Sequence, residues 1–173
     1  TLQASFIDGQ GHAEEISSAA SDPVANLNDA PTGGVTISGT AEQGQTLTAE
    51  NTLGDEDGLG TLTYQWIRDG VDIPDAIDDQ YELVQADVGK AITVRVSYTD
   101  GQGTNESSTS DPTDPVTNIN DAPTGVLLIL GTPEEGATLT AFTSALKDDD
   151  GLGDLSFQWI RDGVDIPDAT DAD

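Results

Sequence analysis

The chain has no cysteine, no methionine, a single histidine and only 5 basic residues among 173. Each shortage excludes something. Without cysteine there is no disulfide staple, no thiolate zinc site and no cysteine nucleophile. One histidine, His12, leaves little room for imidazole–metal or serine–histidine chemistry. The few bases face 33 acids, a formal net charge of -28. Such a surface repels a phosphate backbone, which argues against a nucleic-acid partner, and an anionic membrane is equally disfavoured. Long apolar runs are also missing: the longest, Gly125–Leu130, is far below the roughly 18–20 residues that span a bilayer, so direct membrane insertion is not expected. Low hydrophobicity with high charge can mean disorder. Here 35% of residues are hydrophobic and fall in strand-like patterns, which points to a folded chain.

What is present is repetition. Gln65–Ala76 recurs letter for letter as Gln158–Ala169, an offset of 93. Asn28–Gly33 recurs as Asn120–Gly125, and Asp8-Gly9-Gln10-Gly11 as Asp100-Gly101-Gln102-Gly103, both at an offset of 92. One inserted residue before the second acidic loop accounts for the difference. The expected organisation is the C-terminal part of one repeat (1–27), one complete repeat (28–119) and the N-terminal part of a third (120–173). Joined together, the two part-repeats would still lack a counterpart of Tyr81–Ile92. Two origins are open: a window of a longer tandem array, or a subunit whose part-repeats complete each other between molecules.

The repeat reads as all-β. Ile92, Val94, Val96 and Tyr98 alternate with polar residues, the period-2 pattern of a half-buried strand. Leu2, Ala4 and Phe6 keep that pattern at the start of the chain. Leu62, Tyr64 and Trp66 alternate in the same way, and Val35–Ser38, Gln45–Ala49 and Tyr81–Val84 read as further strands. Arg68-Asp69-Gly70, Ala86–Gly89 and Asp100–Gly103 are turn signals. Some seven short strands with a tryptophan on the third predict a Greek-key β-sandwich of the immunoglobulin type. Leu47 and Val94 stand near the place where such domains bridge their sheets by a disulfide, and are expected to pack as apolar residues. Trp66 and Trp159 are expected in the core.

The residues now quoted carry a resemblance. Asn118-Ile119-Asn120-Asp121-Ala122-Pro123, Asp57-Gly58-Leu59-Gly60 before Tyr64-Gln65-Trp66, Ala86–Gly89 and Val96–Asp100 resemble the tandem immunoglobulin-like, cadherin-like repeats of giant bacterial surface adhesins of the RTX type, exported by type I secretion. The resemblance covers essentially the whole chain. The glycine-rich nonapeptide repeat of such adhesins does not occur. The resemblance implies an extracellular, cell-surface extender rather than an enzyme, with neighbouring repeats of the same chain as its partners.

Three acidic segments per repeat could supply the oxygen ligands that Ca²⁺ takes. They are Asn26, Asn28 and Asp29 in the linker, repeated as Asn118, Asn120 and Asp121; Asp55 and Asp57, repeated as Asp148 and Asp150; and Asp100. In an immunoglobulin-like topology the linker, the loop after the second strand and the loop after the sixth lie at one end of the domain. Cadherin-like repeats bind Ca²⁺ with Asn-Asp-x-Pro linkers between domains. Ca²⁺ is therefore the expected cofactor, with an affinity on the order of 10⁻⁴–10⁻³ M as in other extracellular modules. Asp69 and Asp87, from turns at the opposite end, are candidates for the next junction. Solvated turns are the competing reading, since Asp and Gly are ordinary turn residues. These loops lack the EF-hand spacing and its distal Glu.

Other chemistry has less behind it. Paired carboxylates suggest a glycosidase only where a pocket holds them. The tryptophans could offer a sugar platform. His12 stands where the complete repeat has Thr104 and reads as incidental. Arg68 and Arg161 are expected to pair locally with Asp69 and Asp162. Asn105-Glu106-Ser107 is a sequon relevant only to a eukaryotic secretory product. A filament or matrix subunit built from identical chains, and a glycan- or protein-binding module, remain alternative functions.

Overall fold

The computed structural model describes residues 1–173 and is nearly all β. Its strands are β1 (Gln3–Ile7), β2 (Ala13–Ser17), β3 (Val35–Ser38), β4 (Thr46–Asn51), β5 (Thr63–Arg68), β6 (Val71–Asp72) and β7 (Gln80–Glu82). After a 3₁₀ turn at Gln85–Asp87 come β8 (Ile92–Thr99), β9 (Asn105–Thr109), β10 (Leu128–Leu130), β11 (Thr140–Phe142), β12 (Ile160–Arg161) and β13 (Val164–Asp165). They form several small antiparallel sheets. The largest are a three-stranded sheet in the order β3-β4-β7 and a four-stranded sheet in the order β6-β5-β8-β9.

Those two sheets share one core. Val35, Leu47 and Ala49 from the first meet Trp66, Ile92, Val94, Val96 and Tyr98 from the second. Strict alternation makes this possible: along β8, Ile92, Val94, Val96 and Tyr98 are buried, and Thr93, Arg95 and Ser97 only partly so. Leu47 and Val94, expected to pack as apolar residues, are both fully buried. Trp66 stacks on Tyr81 with ring centroids 5.7 Å apart, and its indole N–H donates to the Asp78 carbonyl at 2.9 Å. Every buried residue lies between Val35 and Val116. The β1–β2 hairpin and strands β10 to β13 leave Phe6, Ile129, Ile160 and Val164 exposed.

Turn chemistry sets the local register. The β5–β6 hairpin closes on Asp69 and Gly70, both at positive φ (44° and 83°). Two-residue loops of this kind match the twist of paired strands. Asp162 (φ 51°) and Gly163 (φ 81°) repeat it between β12 and β13.

Two expectations fail at this end of the molecule. Asp87 is not a turn acid available to a junction: it is fully buried. Its carboxylate accepts from Arg68 Nε at 2.6 Å, Tyr81 Oη at 2.9 Å and the Val84 backbone N–H at 2.8 Å. A buried charge needs that many donors to be tolerated. Arg68 accordingly pairs with Asp87 rather than with Asp69. Asp69 instead meets Lys90 at 3.1 Å and accepts from the Ala91 N–H. The guanidinium is held above its ordinary pKa mainly by the Asp87 hydrogen bond. The Tyr81 hydroxyl is pushed up, first by burial and then by its bond to Asp87.

Candidate functional site

Residues Asp55–Asp57 follow β4, Asp100 follows β8, and the linker 26–29 precedes β3. The fold brings these three segments together at one end. Asp57 is the hub. Its Oδ1 accepts from Asn26 Nδ2 at 2.7 Å and its Oδ2 from the Asp29 backbone N–H at 2.8 Å. Its carbonyl accepts from the Gly101 N–H at 3.1 Å. Asp55 folds the loop by accepting from the Asp57 N–H at 2.8 Å, and its other oxygen accepts from Tyr98 Oη at 2.6 Å.

Glycine permits this close approach. A Cβ on Gly60 would overlap the Thr99 carbonyl, and one on Gly101 would stand 2.5 Å from the Asp57 carbonyl. The Asp57-Gly58-Leu59-Gly60 motif is therefore a packing requirement of this loop against the end of β8.

Asp100 closes its own turn. Oδ1 accepts from the N–H groups of Gln102 (2.9 Å) and Thr104 (2.7 Å). Asp8 does the same in the β1–β2 hairpin, accepting from Gln10 and His12, both at 2.8 Å. These backbone donors, His12 first, hold the Asp8 carboxyl below its ordinary pKa. Asp100 differs in burial: it is 6% exposed, and its Oδ2 is buried with no hydrogen-bond donor. A shielded carboxylate oxygen without a partner is rare in native structures.

Two contributors escaped the sequence reading. Glu106, opposite Tyr98 in the β8–β9 ladder, accepts from Asn28 Nδ2 at 2.8 Å. Tyr98 is the other, through its bond to Asp55. Its hydroxyl is pushed up to about 12, by burial first, then by Asp55, and by the charges of Glu106 and Asp100. The strand register was the available signal, since Glu106 follows Asp100 by six residues across a short hairpin.

The same linker-to-loop bonds recur at the second junction. Asn118 Nδ2 donates to Asp150 Oδ1 at 2.7 Å, the Asp121 N–H to Asp150 Oδ2 at 2.7 Å, and the Asp150 N–H to Asp148 Oδ1 at 2.9 Å. Asn28 Nδ2 reaches the Asp29 carbonyl at 3.2 Å, and Asn120 Nδ2 the Asp121 carbonyl at 2.8 Å. Residues 120–173 hold no copy of Tyr98, Asp100 or Glu106.

The ion pairs of the chain are Arg68–Asp87, Lys90–Asp69 and Arg95–Asp72, and His12 Nδ1 stands 3.5 Å from Asp8 Oδ2. Asp29, Asp55, Asp57, Asp100 and Glu106 thus share one end with no cationic side chain beside them. No three His, Cys, Asp or Glu side chains are grouped closely enough to hold a metal ion. No family model, curated protein or solved structure matches the chain.

Proposed function

We propose that the chain is an extender segment of a secreted surface protein, built from immunoglobulin-like β-sandwich repeats whose junctions stiffen on binding Ca²⁺. One observation carries this reading: the linker-to-loop hydrogen bonds of Asn26, Asp29 and Asp57 recur, atom for atom, at Asn118, Asp121 and Asp150. A turn that is merely solvated has no reason to capture the incoming linker twice in the same way. The pairing of a three-stranded with a four-stranded sheet over one core supports the sandwich assignment.

The donor set suits a hard cation. Carboxylate, amide and backbone carbonyl oxygens are what Ca²⁺ takes, and Asp100 Oδ2 lacks any other partner. The acids stand wider apart than one ligand sphere, so linker and loops must draw in around the ion. Bound Ca²⁺ supplies counter-charge and shared oxygen coordination. Without it, carboxylates within a Debye length of about 8 Å repel one another and loosen the junction. Extracellular Ca²⁺ would then set how tightly linker and domain move as one body.

Small-angle scattering and thermal melting, each in Ca²⁺ and in chelator, test the proposal. A longer, better-defined maximum dimension and a higher melting temperature are expected in Ca²⁺, and Asp57→Asn should blunt both. Unchanged dimension and melting temperature would overturn it. A second reading is a filament subunit assembled from identical chains. Polymerisation that rises with concentration would favour it.

A further inference from the structure

At the second junction the complete repeat reaches back toward the linker with neutral side chains. Val116 and Thr117, just before that linker, are pinned to the base of the repeat. Val116 lies in a parallel bridge with Val88, and Thr117 in one with Glu42. The Gln43 N–H donates to the Thr117 carbonyl at 3.0 Å. From this base the Gln43 side chain grips the linker at two points. Its Nε2 donates to Asp121 Oδ2 at 2.8 Å, and its Oε1 accepts from the Ile119 N–H at 3.3 Å. Gln85, on the neighbouring 3₁₀ turn, donates from Nε2 to the Asp149 carbonyl at 3.0 Å. Its Oε1 is buried without a donor, so Gln85 holds by one bond.

We propose that Gln43 and Gln85 form a clamp that fixes the orientation of consecutive repeats before any cation binds. The argument rests on charge as well as distance. Asp121 has no cationic side chain, and a neutral amide N–H satisfies one of its oxygens at no cost in repulsion. Asp149 and Ile119 are held through backbone groups, so those two bonds do not depend on the ionisation of the junction. The following repeat carries Glu135 where this one has Gln43. A carboxylate there cannot donate to a linker aspartate and would repel one. Junctions of one array would then differ in how far they depend on Ca²⁺.

The absence of native cysteine allows two spin labels to be placed by Thr36→Cys and Thr140→Cys, at exposed positions on either side of the junction. Pulsed dipolar distances are measured on the whole chain in chelator. The parent chain should give one dominant distance above a broader background, which added Ca²⁺ narrows. Gln43→Ala should raise the population outside that peak about fivefold, as expected for a partly exposed bond to a charged acceptor. Gln85→Ala should raise it about twofold, and Gln43→Glu at least as much as Gln43→Ala. Thermal melts followed by Trp66 fluorescence check that the complete repeat stays folded. A broad distribution in the parent chain, or folded variants that keep the parent's single distance, would overturn the clamp.

Discussion

Gln65–Ala76 and Gln158–Ala169 are the same twelve residues in two settings. Part of their structure is identical. Gln65 Nε2 donates to the Ile73 carbonyl at 2.8 Å, and Gln158 Nε2 to the Ile166 carbonyl at 2.8 Å. Each indole N–H reaches a carbonyl twelve residues on, Asp78 or Asp171, at 2.9 Å. Both hairpin loops turn through positive φ. The rest differs. Trp66 is fully buried while Trp159 is half-buried, and β5 runs over six residues while its copy pairs over only two. The missing ingredient is β8, which pairs with β5 along its whole length. Hairpin geometry and bracketing hydrogen bonds are local; burial and strand length come from a partner distant in sequence.

Truncating the two tryptophans would show that difference most strongly. Trp66→Ala removes the centre of the core and should lower unfolding stability by about 4 kcal/mol. Trp159→Ala should change the main transition by less than about 0.5 kcal/mol. Urea denaturation of the whole chain, followed by circular dichroism, checks both. Equal losses would mean that the third repeat is packed as tightly as the complete one.

The paired arginines give the next largest contrast. Arg68 bonds to buried Asp87, whereas Arg161, its copy, is exposed and has no ion pair. Asp87→Ala should cost about 3 kcal/mol, because it leaves a largely shielded guanidinium and the Tyr81 hydroxyl without their acceptor. Arg161→Ala should stay within about 0.5 kcal/mol of the parent chain. The same denaturation curves decide it.

Legibility in the sequence follows the same division. The alternation of Ile92, Val94, Val96 and Tyr98 forecasts β8, because period-2 burial is written along a single strand. Asp69-Gly70 forecasts the hairpin because its φ values are a local demand. The linker and the Asp55–Asp57 loop can be named as partners because an immunoglobulin-like strand order puts both at one end. Glu106 and Tyr98 could not, since they join the site through a strand register. Asp87 was misplaced for a related reason. In isolation Ala86–Gly89 has turn composition, and only the arrival of Arg68 and Tyr81 from other strands makes its carboxylate an interior group. Gln43 and Gln85 carried no signal, because a neutral amide on a surface turn has no chemistry until the next repeat docks against it.

The smallest effect separates Tyr98 from Phe6, its counterpart in the preceding repeat. Phe6 is exposed and has no hydroxyl; Tyr98 is 4% exposed and bonded to Asp55. The Tyr98 hydroxyl rises from 10.0 to about 12 in the folded chain, so between those values the folded state holds a proton that the unfolded state has released. Its contribution is therefore complete below about pH 10 and fades as pH climbs toward 12. Absorbance titration near 295 nm should show a late tyrosine step near pH 12, and Tyr98→Phe should remove it. The stability of Tyr98→Phe should also fall less steeply than the parent's between pH 10 and 12, with a smaller stability at pH 7 because Asp55 Oδ2 loses its donor. A late step that persists in Tyr98→Phe would place the high-titrating hydroxyl elsewhere, on Tyr81 beside Asp87, and would detach Tyr98 from the acidic end of the domain.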